Sequence, residues 1–399
     1  MRILRITLLY KTYIDYFYRK NPGLKKAPYQ QQMDSFYYDH FSWGDGYKKA
    51  FESQGVDYAD IYTNVGPLQR RWAREQGIDG ASLQEIAVRQ AERFSPEVLF
   101  FNHNDENLLR HIRETAPGIR LVLGYSGSAV VNDKILKSAD VVISCAPEIV
   151  SLLRRQGQRA EQIHHAFNPD VLDRLGAGAI PQPREQDIIF IGQLIPQDQF
   201  HIRRIEILQK LCSSTNVMIY YPEGDSQARW NRALKTTIYH LVRGGQRIGI
   251  PDSFFNKIPK VRRIIGKSHA PRFPVMKKPV RGAIYGLDMF RTIQRSRITL
   301  NIHADSSPTH ASNIRMFEIA GSGSCLLTDW KTNLNDLFAD GRECVSFKTA
   351  AEAAEKADWL LTHPDECRRI AEAGQKRVLK DHTFVQRARQ LLEIIQKSI

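Results

Sequence analysis

The chain has 399 residues, 42% hydrophobic and 25% charged, with a formal net charge of +14. That length is too great for one ordinary core and points to two domains, while the composition excludes a disordered or fibrous chain. Five widely separated cysteines (Cys145, Cys212, Cys325, Cys344, Cys367) contain no C-x-x-C pair, which excludes a disulfide framework and a zinc site of the usual spacing. They are expected to be reduced and mostly buried.

Met1 to Tyr10 is too short an apolar stretch for a signal peptide and lacks a small-residue cleavage site. No stretch approaches the roughly 18 apolar residues of a membrane span. The expectation is a cytoplasmic protein, with peripheral contact on the inner face of the cytoplasmic membrane left open.

The first half alternates short strand-like runs with helical patterns. Strands are predicted over Arg2–Leu9, Val56–Tyr62, Glu97–His103, Arg120–Tyr125, Val141–Cys145 and Gln162–Phe167. Between them, Asp45 can cap a helix that buries Tyr47, Ala50 and Phe51, and Ser82 with Glu85 forms a capping box. Pro147 suits a first helical turn, and Gly157 suits the end of that helix. Strands and helices at this spacing imply a doubly wound parallel sheet. The aromatic-rich stretch Tyr10–Trp43 reads as an unusually long loop after the first strand, open to acceptor recognition or to plain packing.

Leu175–Pro183 (LGAGAIPQP) reads as a linker, after which the alternation restarts. Strands are predicted over Asp187–Leu194, Val217–Tyr221, Ile298–His303, Cys325–Thr328 and Val345–Phe347. Helices are predicted near His201–Leu211, Asp288–Arg297, Asn313–Ala320, Thr349–Leu361 and Pro364–Lys380, with a last one capped by Thr383. The expected fold is α/β, with two Rossmann-like domains facing across a cleft and a C-terminal helix crossing back to the first. The domains are 1–176, 184–380 with an insertion at 225–283, and the terminal helix 381–399.

Within that insertion, Asp225 to Ala283 holds fourteen Lys and Arg against two Asp, which is most of the net charge. Phe254, Phe255, Ile258, Val261, Ile264 and Ile265 lie among these cations, a pattern suited to an anionic membrane surface. A plain solvated insertion and a nucleic-acid contact are the alternatives; no base-reading motif supports the second.

Ligands of open α/β sheets bind beyond the carboxyl ends of the strands. In the first half those positions are Asn102, His103, Asn104, Ser126, Gly127, Ser144 and Asn168, each also an ordinary turn or cap residue. In the second half, His201, Arg203 and Arg204 open a helix, where free amides and guanidinium groups suit a phosphate. Farther on, Asn313, Arg315 and Glu318 precede Gly321 and Gly323; a carboxylate there can take the hydroxyls of a ribose, and the Gly-Ser amides can approach a phosphate. By itself this G-x-G, lacking a third glycine and following a helix, is weak.

The run NIRMFEIAGSGSCLLTDW (residues 313–330) resembles the donor-binding signature of GT-B glycosyltransferases, nearest to the CgeB-like branch and more distantly to glycosyltransferase family 4. FIGQL with HIRRIEIL, and AIYGLDMFRTIQRSRITLNIHAD, resemble further pieces of that branch. The resemblance spans Asp187 to the C-terminus and implies a nucleotide-sugar held mainly by the second domain. Glu318 would then bind the ribose, Gly323 and Ser324 would approach the phosphates, and Gly192 would belong to the same donor set. His201, Arg203 and Arg204 would neutralise the leaving diphosphate, while Tyr285 and Gly286 flank the base, and Asn313 and Arg315 complete the donor set. Family 4 carries a second glutamate eight residues before the first, where this chain has His310; His310 or Asn313 would take over its part in positioning the sugar.

No D-x-D motif is present, so no metal and no cofactor are expected. His103 is the candidate base if the reaction inverts configuration; retention, which needs no strong base, is favoured. The acceptor is expected to be a surface polysaccharide or glycolipid, lipid-linked, such as a lipopolysaccharide precursor. The competing readings are a sugar-nucleotide epimerase of the same fold, and a non-enzymatic basic protein that binds membrane or nucleic acid.

Overall fold

The structure, a computed structural model, describes residues 1–127, 133–176, 184–194, 201–222, 226–247, 251, 255, 280–305 and 307–399; of 133 and 226–236 it describes the backbone alone. Strands β1 (Arg2–Thr7), β2 (Asp57–Tyr62), β3 (Val98–Asn102), β4 (Leu121–Ser126), β5 (Val141–Ser144) and β6 (Ala160–Gln162) form one sheet in the order β2-β1-β3-β4-β5-β6. Strands β7 (Gln186–Ile191), β8 (Val217–Tyr220), β9 (Val280–Arg281), β10 (Ser296–Asn301), β11 (Cys325–Asp329) and β12 (Val345–Phe347) form a second, in the order β12-β11-β10-β7-β8-β9. Every pairing in both sheets is parallel. Runs such as VLFFN and CLLTD follow from this, because helices cover both faces of each sheet and leave no solvent side.

The helices of the first half are α1 (Lys11–Lys20), α2 (Tyr29–Asp39), α3 (Gly46–Glu52), α4 (Gly66–Glu75), α5 (Leu83–Phe94), α6 (Glu106–Thr115), α7 (Asp133–Lys137), α8 (Pro147–Arg155) and α9 (Asp170–Arg174). Those of the second are α10 (Ile202–Ser214), α11 (Ser226–Arg247), α12 (Gly286–Gln294), α13 (Arg315–Gly321), α14 (Leu334–Leu337), α15 (Ala350–Thr362), α16 (Pro364–Asp381) and α17 (Phe384–Gln396). All five cysteines are buried and none forms a disulfide. Among the described residues no helix is long and apolar enough to cross a membrane. Of the expected amphipathic run in the basic insertion, Phe254, Ile258, Val261, Ile264 and Ile265 lie outside the described residues.

Three local expectations are corrected. Tyr10–Trp43 is not a loop: α1 and α2 form a helical hairpin whose Tyr13, Phe17, Tyr18, Phe36 and Tyr37 build a core with Tyr62, Val65 and Leu68. Aromatic side chains at helical spacing found a hydrophobic surface to bury against, which the absence of strong capping residues had concealed. Asp45 precedes α3 but makes no cap hydrogen bond; it is buried and bonded instead to His40, Asn168 and Arg174. The last strand of the first sheet covers Ala160–Gln162 rather than Gln162–Phe167, because the chain beyond it leaves that sheet.

Where it goes determines how the halves are joined. Phe167 and Val171 pack into the second domain's core with Phe290, Phe317 and Ile319. In return α17 buries Phe384, Ala388, Leu391 and Ile395 against Tyr47, Phe51 and Val141 of the first domain. The two crossing strands touch, with Phe167 N–H donating to His382 O at 2.9 Å and a parallel bridge between Phe167 and Thr383. A capping box at Thr383 and Gln386 starts α17 at the crossing. Each large apolar side chain so exchanged contributes about 1.5–3 kcal/mol.

The crossing leaves no room at Gly321, where a Cβ would lie 2.4 Å from the ring of Phe167. Gly321→Ala is therefore expected to destabilise the protein by about 1–3 kcal/mol through overpacking. Urea unfolding measures this, and an unchanged midpoint would show that the ring can move aside.

Candidate functional site

The carboxyl ends of β7, β10 and β11 converge on a group of buried charges. Arg204, in the first turn of α10, donates from Nη1 to Gln193 O (2.8 Å) and from Nη2 to Ile302 O (2.6 Å), tying the end of β7 to the end of β10. His201 Nε2 accepts from the same Nη1 at 2.9 Å. Burial and the adjacent guanidinium lower the His201 imidazole to about 4, so it is neutral near pH 7. Burial also lowers Arg204 to about 10. Arg204 Nε is buried with no hydrogen-bond partner.

Beside this pair stands a carboxylate absent from the sequence reading. Asp329, the last residue of β11, is 1% exposed and accepts from His303 N–H (3.0 Å) and from His303 Nδ1 (2.7 Å). Its other oxygen lies 3.3 Å from Lys331 Nζ, which also donates to Ser307 O and Pro308 O. Burial alone would raise this carboxyl, but His303 and Lys331 hold it well below the usual range. Since Nδ1 of His303 donates to a carboxylate, its Nε2 is left buried and without a partner. A histidine and an aspartate at adjacent strand ends were a usable signal in NIHAD and LLTDW.

Glu318, on α13, is 4% exposed and accepts from Arg315 Nη1 at 2.6 Å. Burial raises its carboxyl and Arg315 opposes this. Asn313 Nδ2 donates to Asn301 Oδ1 at 2.8 Å, and Asn301 Nδ2 donates to Thr328, while Asn313 Oδ1 is buried without a partner. Gly192 follows β7 directly, its N–H bonded to Tyr220 O. Glu318, Arg315, Asn313, Arg204, His201 and Gly192 thus belong to the carboxyl half of the second sheet and the helices leaving it.

Other expected residues lie elsewhere. Gly323 and Ser324 connect α13 to the start of β11, so they sit at the amino edge of the sheet, opposite the cleft. A loop that follows a helix of a parallel sheet always lies there. Gly323 O accepts from Arg184, and the Ser324 hydroxyl is bonded to Thr299 and to Ser296 O. Arg203 turns outward, donating to Lys348 O at 2.7 Å beside a cavity of about 500 Å³ lined also by Asp305, Glu206 and Thr349. Asp305 Oδ2 already accepts the Ile202 N–H at the start of α10.

Tyr285 and Gly286 meet the first domain. The Tyr285 hydroxyl donates to Thr12 Oγ1 (2.9 Å) and its ring packs on Tyr13, Tyr16 and Phe41. Gly286 has φ +54° and abuts Asp39, leaving no space for a Cβ. His310 also spans the domains, its Nδ1 2.9 Å from Glu148 Oε1. His103, at the end of β3, has both nitrogens engaged. Nδ1 accepts from Asp105 N–H (3.1 Å), so Nε2 carries the proton and donates to Thr63 Oγ1 (3.0 Å); burial lowers its pKa.

Residues 252–393 match the family described as Glycosyl transferase-like. No curated protein matches the chain. Among solved structures, sucrose-phosphate synthase from Thermosynechococcus elongatus is similar over 100% of this chain and 98% of its own at 13% identity, with a TM-score of 0.52. HepE of Anabaena, solved with UDP-glucose, covers 100% of both chains at 11% identity and a TM-score of 0.52. An alpha-glucosyltransferase solved with UDP and DNA covers 99% of each chain at 10% identity and a TM-score of 0.56. The whole-chain likeness gives the GT-B fold, within which residues 252–393 are similar to the glycosyl transferase-like family.

Asp329→Asn leaves His303 Nδ1 and the buried Lys331 without their carboxylate, and is expected to cost about 3–5 kcal/mol. Because the folded carboxyl is depressed, its contribution is complete above the unfolded value near 4 and is lost as pH falls below it. Urea titrations from pH 7 down to about pH 3 should show wild-type stability falling more steeply than that of the variant below about pH 4. Parallel curves would mean that Asp329 does not carry this acid sensitivity.

Proposed function

We propose that the enzyme transfers a sugar from a nucleotide-sugar donor, held by the second domain, to a saccharide or glycolipid acceptor entering from the first. The observation that carries this reading is the meeting of two carboxyl edges, one of which bears a buried carboxylate and cations within the glycosyl transferase-like segment. The solved relative with UDP-glucose has the same fold over its whole length, which supports a nucleotide-sugar as donor.

Glu318 takes the ribose hydroxyls as acceptor. Its burial and its pairing with Arg315 keep the carboxylate oriented rather than hydrated. Arg204 places fixed positive charge at the ends of β7 and β10, where a leaving diphosphate gains most from a charge that does not reorganise. The transfer is read as metal-independent, with these cations in the role a metal would otherwise take. Retention of configuration is favoured by His103, whose two nitrogens are both committed to internal bonds and offer no lone pair to an acceptor hydroxyl.

A cavity of about 660 Å³ between α1, α2 and α12, bordered by Tyr16, Tyr38, Asp34, Asp39 and Asp288, suits the acceptor. Aromatic faces and carboxylates are the surfaces a neutral polyhydroxylated ring binds. The basic insertion 225–283 would hold the enzyme on an anionic membrane, the place of a lipid-linked acceptor for surface polysaccharide or lipopolysaccharide. In the described part of that insertion α11 carries Arg243 and Arg247 beside Leu241, which is 68% exposed.

Incubation with UDP-, GDP- and CMP-sugars, following nucleoside diphosphate or monophosphate release with and without membrane extract, should reveal one donor turned over in the presence of extract. Glu318→Ala is expected to lower kcat/KM for that donor by about 100-fold, equivalent to about 2.7 kcal/mol. An unaltered value would remove Glu318 from the site. Sedimentation with vesicles should show the full chain bound to phosphatidylglycerol and released by salt. Equal binding to phosphatidylcholine, or none, would end the membrane part of the proposal.

A further inference from the structure

We propose that Glu148 is a ligand-binding carboxylate of the cleft, whose Oε2 accepts a hydroxyl of the sugar being transferred. This rests on the glycosyltransferase reading above.

Glu148 is the second residue of α8, just beyond the carboxyl end of β5, and so belongs to the first domain. Its side chain nevertheless reaches the second. Oε1 accepts from the Thr309 hydroxyl (2.6 Å) and the His310 N–H (2.9 Å), and lies 2.9 Å from His310 Nδ1. Two hydrogen bonds on one oxygen fix the carboxylate across the cleft. Oε2 is buried with no hydrogen-bond partner. A carboxylate can take about four hydrogen bonds, and a buried oxygen without any is costly, so the arrangement is complete only when something donates to Oε2.

The chemistry of that donor follows from the surroundings. Burial acts to raise the Glu148 carboxyl, but Thr309 and His310 hold it below its ordinary value, so it is charged near neutral pH. An anion repels a diphosphate and accepts from hydroxyl groups. Three residues beyond His310, Asn313 Oδ1 is a second buried acceptor without a partner, oriented by the bond from its own Nδ2 to Asn301. Two unpartnered acceptors, one bonded across the cleft to residues 309 and 310 and the other at residue 313, call for a ligand with several O–H donors, which describes a sugar ring rather than a phosphate or a base. The same segment runs directly into α13 and Glu318, so a single donor molecule can lie along it.

Calorimetry with UDP-glucose against UDP, and GDP-mannose against GDP, separates the sugar from the nucleotide. For the pair the wild type binds, Glu148→Gln is expected to weaken the nucleotide-sugar by about tenfold or more while leaving the nucleoside diphosphate within about twofold. Thr309→Val breaks one bond to Oε1 but keeps Oε2, and should preserve the wild-type ratio of the two affinities. Should Glu148→Gln fail to fold, Glu148→Asp, which withdraws the charge by one methylene, is expected to lower the same ratio. An unchanged ratio in the Glu148 variants, or an equal loss for both ligands, overturns the assignment. So does a Thr309→Val effect as large as that of Glu148→Gln, which would mean that the residue acts only through the loop. A wild type that binds no nucleotide-sugar refutes the transferase reading itself, and this inference with it.

Discussion

The molecule depends on an exchange of chain between its halves. Phe167 and Val171, near the end of the first half, are core of the second, and α17, last helix of the second, is core of the first. Neither domain can bury its own apolar surface without the other's segment. The exchange also sets orientation, because the two crossing strands pair through Phe167 and Thr383 and Gly321 lets the Phe167 ring seat against α13. Around the crossing, Asp45 holds Arg174 and Asn168, so the connection is fixed by buried charge as well as by packing. This is why the carboxyl edges face each other instead of varying with a flexible linker.

Given that orientation, the contacts at the cleft divide into two kinds. On one side lies the aromatic hairpin, where Tyr285 and Asp288 of the second domain dock on Thr12, Tyr16 and Lys20. On the other lies the segment 307–313, held from below by Lys331 and from across the cleft by Glu148. Both seams place residues that a sequence reader assigns to a ligand, Tyr285 and His310, against protein. Interdomain bonding and ligand binding draw on the same residue types at the same edge, and a sequence alone does not distinguish a partner supplied by the other domain from one supplied in solution.

The fold was legible because a two-faced buried strand and an amphipathic helix each leave a periodic trace within ten or so residues. Boundaries of the second-half strands fall within a few residues of the expected ones. Legibility ended where the determining contact was distant in sequence. Nothing in Gln162–Phe167 signals that Phe167 will pack on Phe290, so the expected strand falls beyond the true one at Ala160–Gln162. The glycines near residue 322 resembled a phosphate loop, yet direction along the chain decides otherwise: a loop entering a parallel strand lies at the edge away from the cleft. For Asp329 the local signal did exist, since an aspartate ending an apolar strand must be paired when buried; its partners His303 and Lys331 could be sought only once β10 and β11 were known to be neighbours.

The segment 307–313 now has a physical role of its own. Asp329 fixes Lys331, Lys331 fixes the carbonyls of Ser307 and Pro308, Ser307 bonds His310 O and Ser312, and the next residues open α13 with Glu318. Glu148 therefore bonds to a segment that is itself held by hydrogen bonds as far as Ser312, shortly before the helix that carries Glu318. Buried charge pairs of this kind add little net stability over an apolar core, but once formed they admit few alternative geometries. Placing them at the carboxyl edge exchanges stability for position.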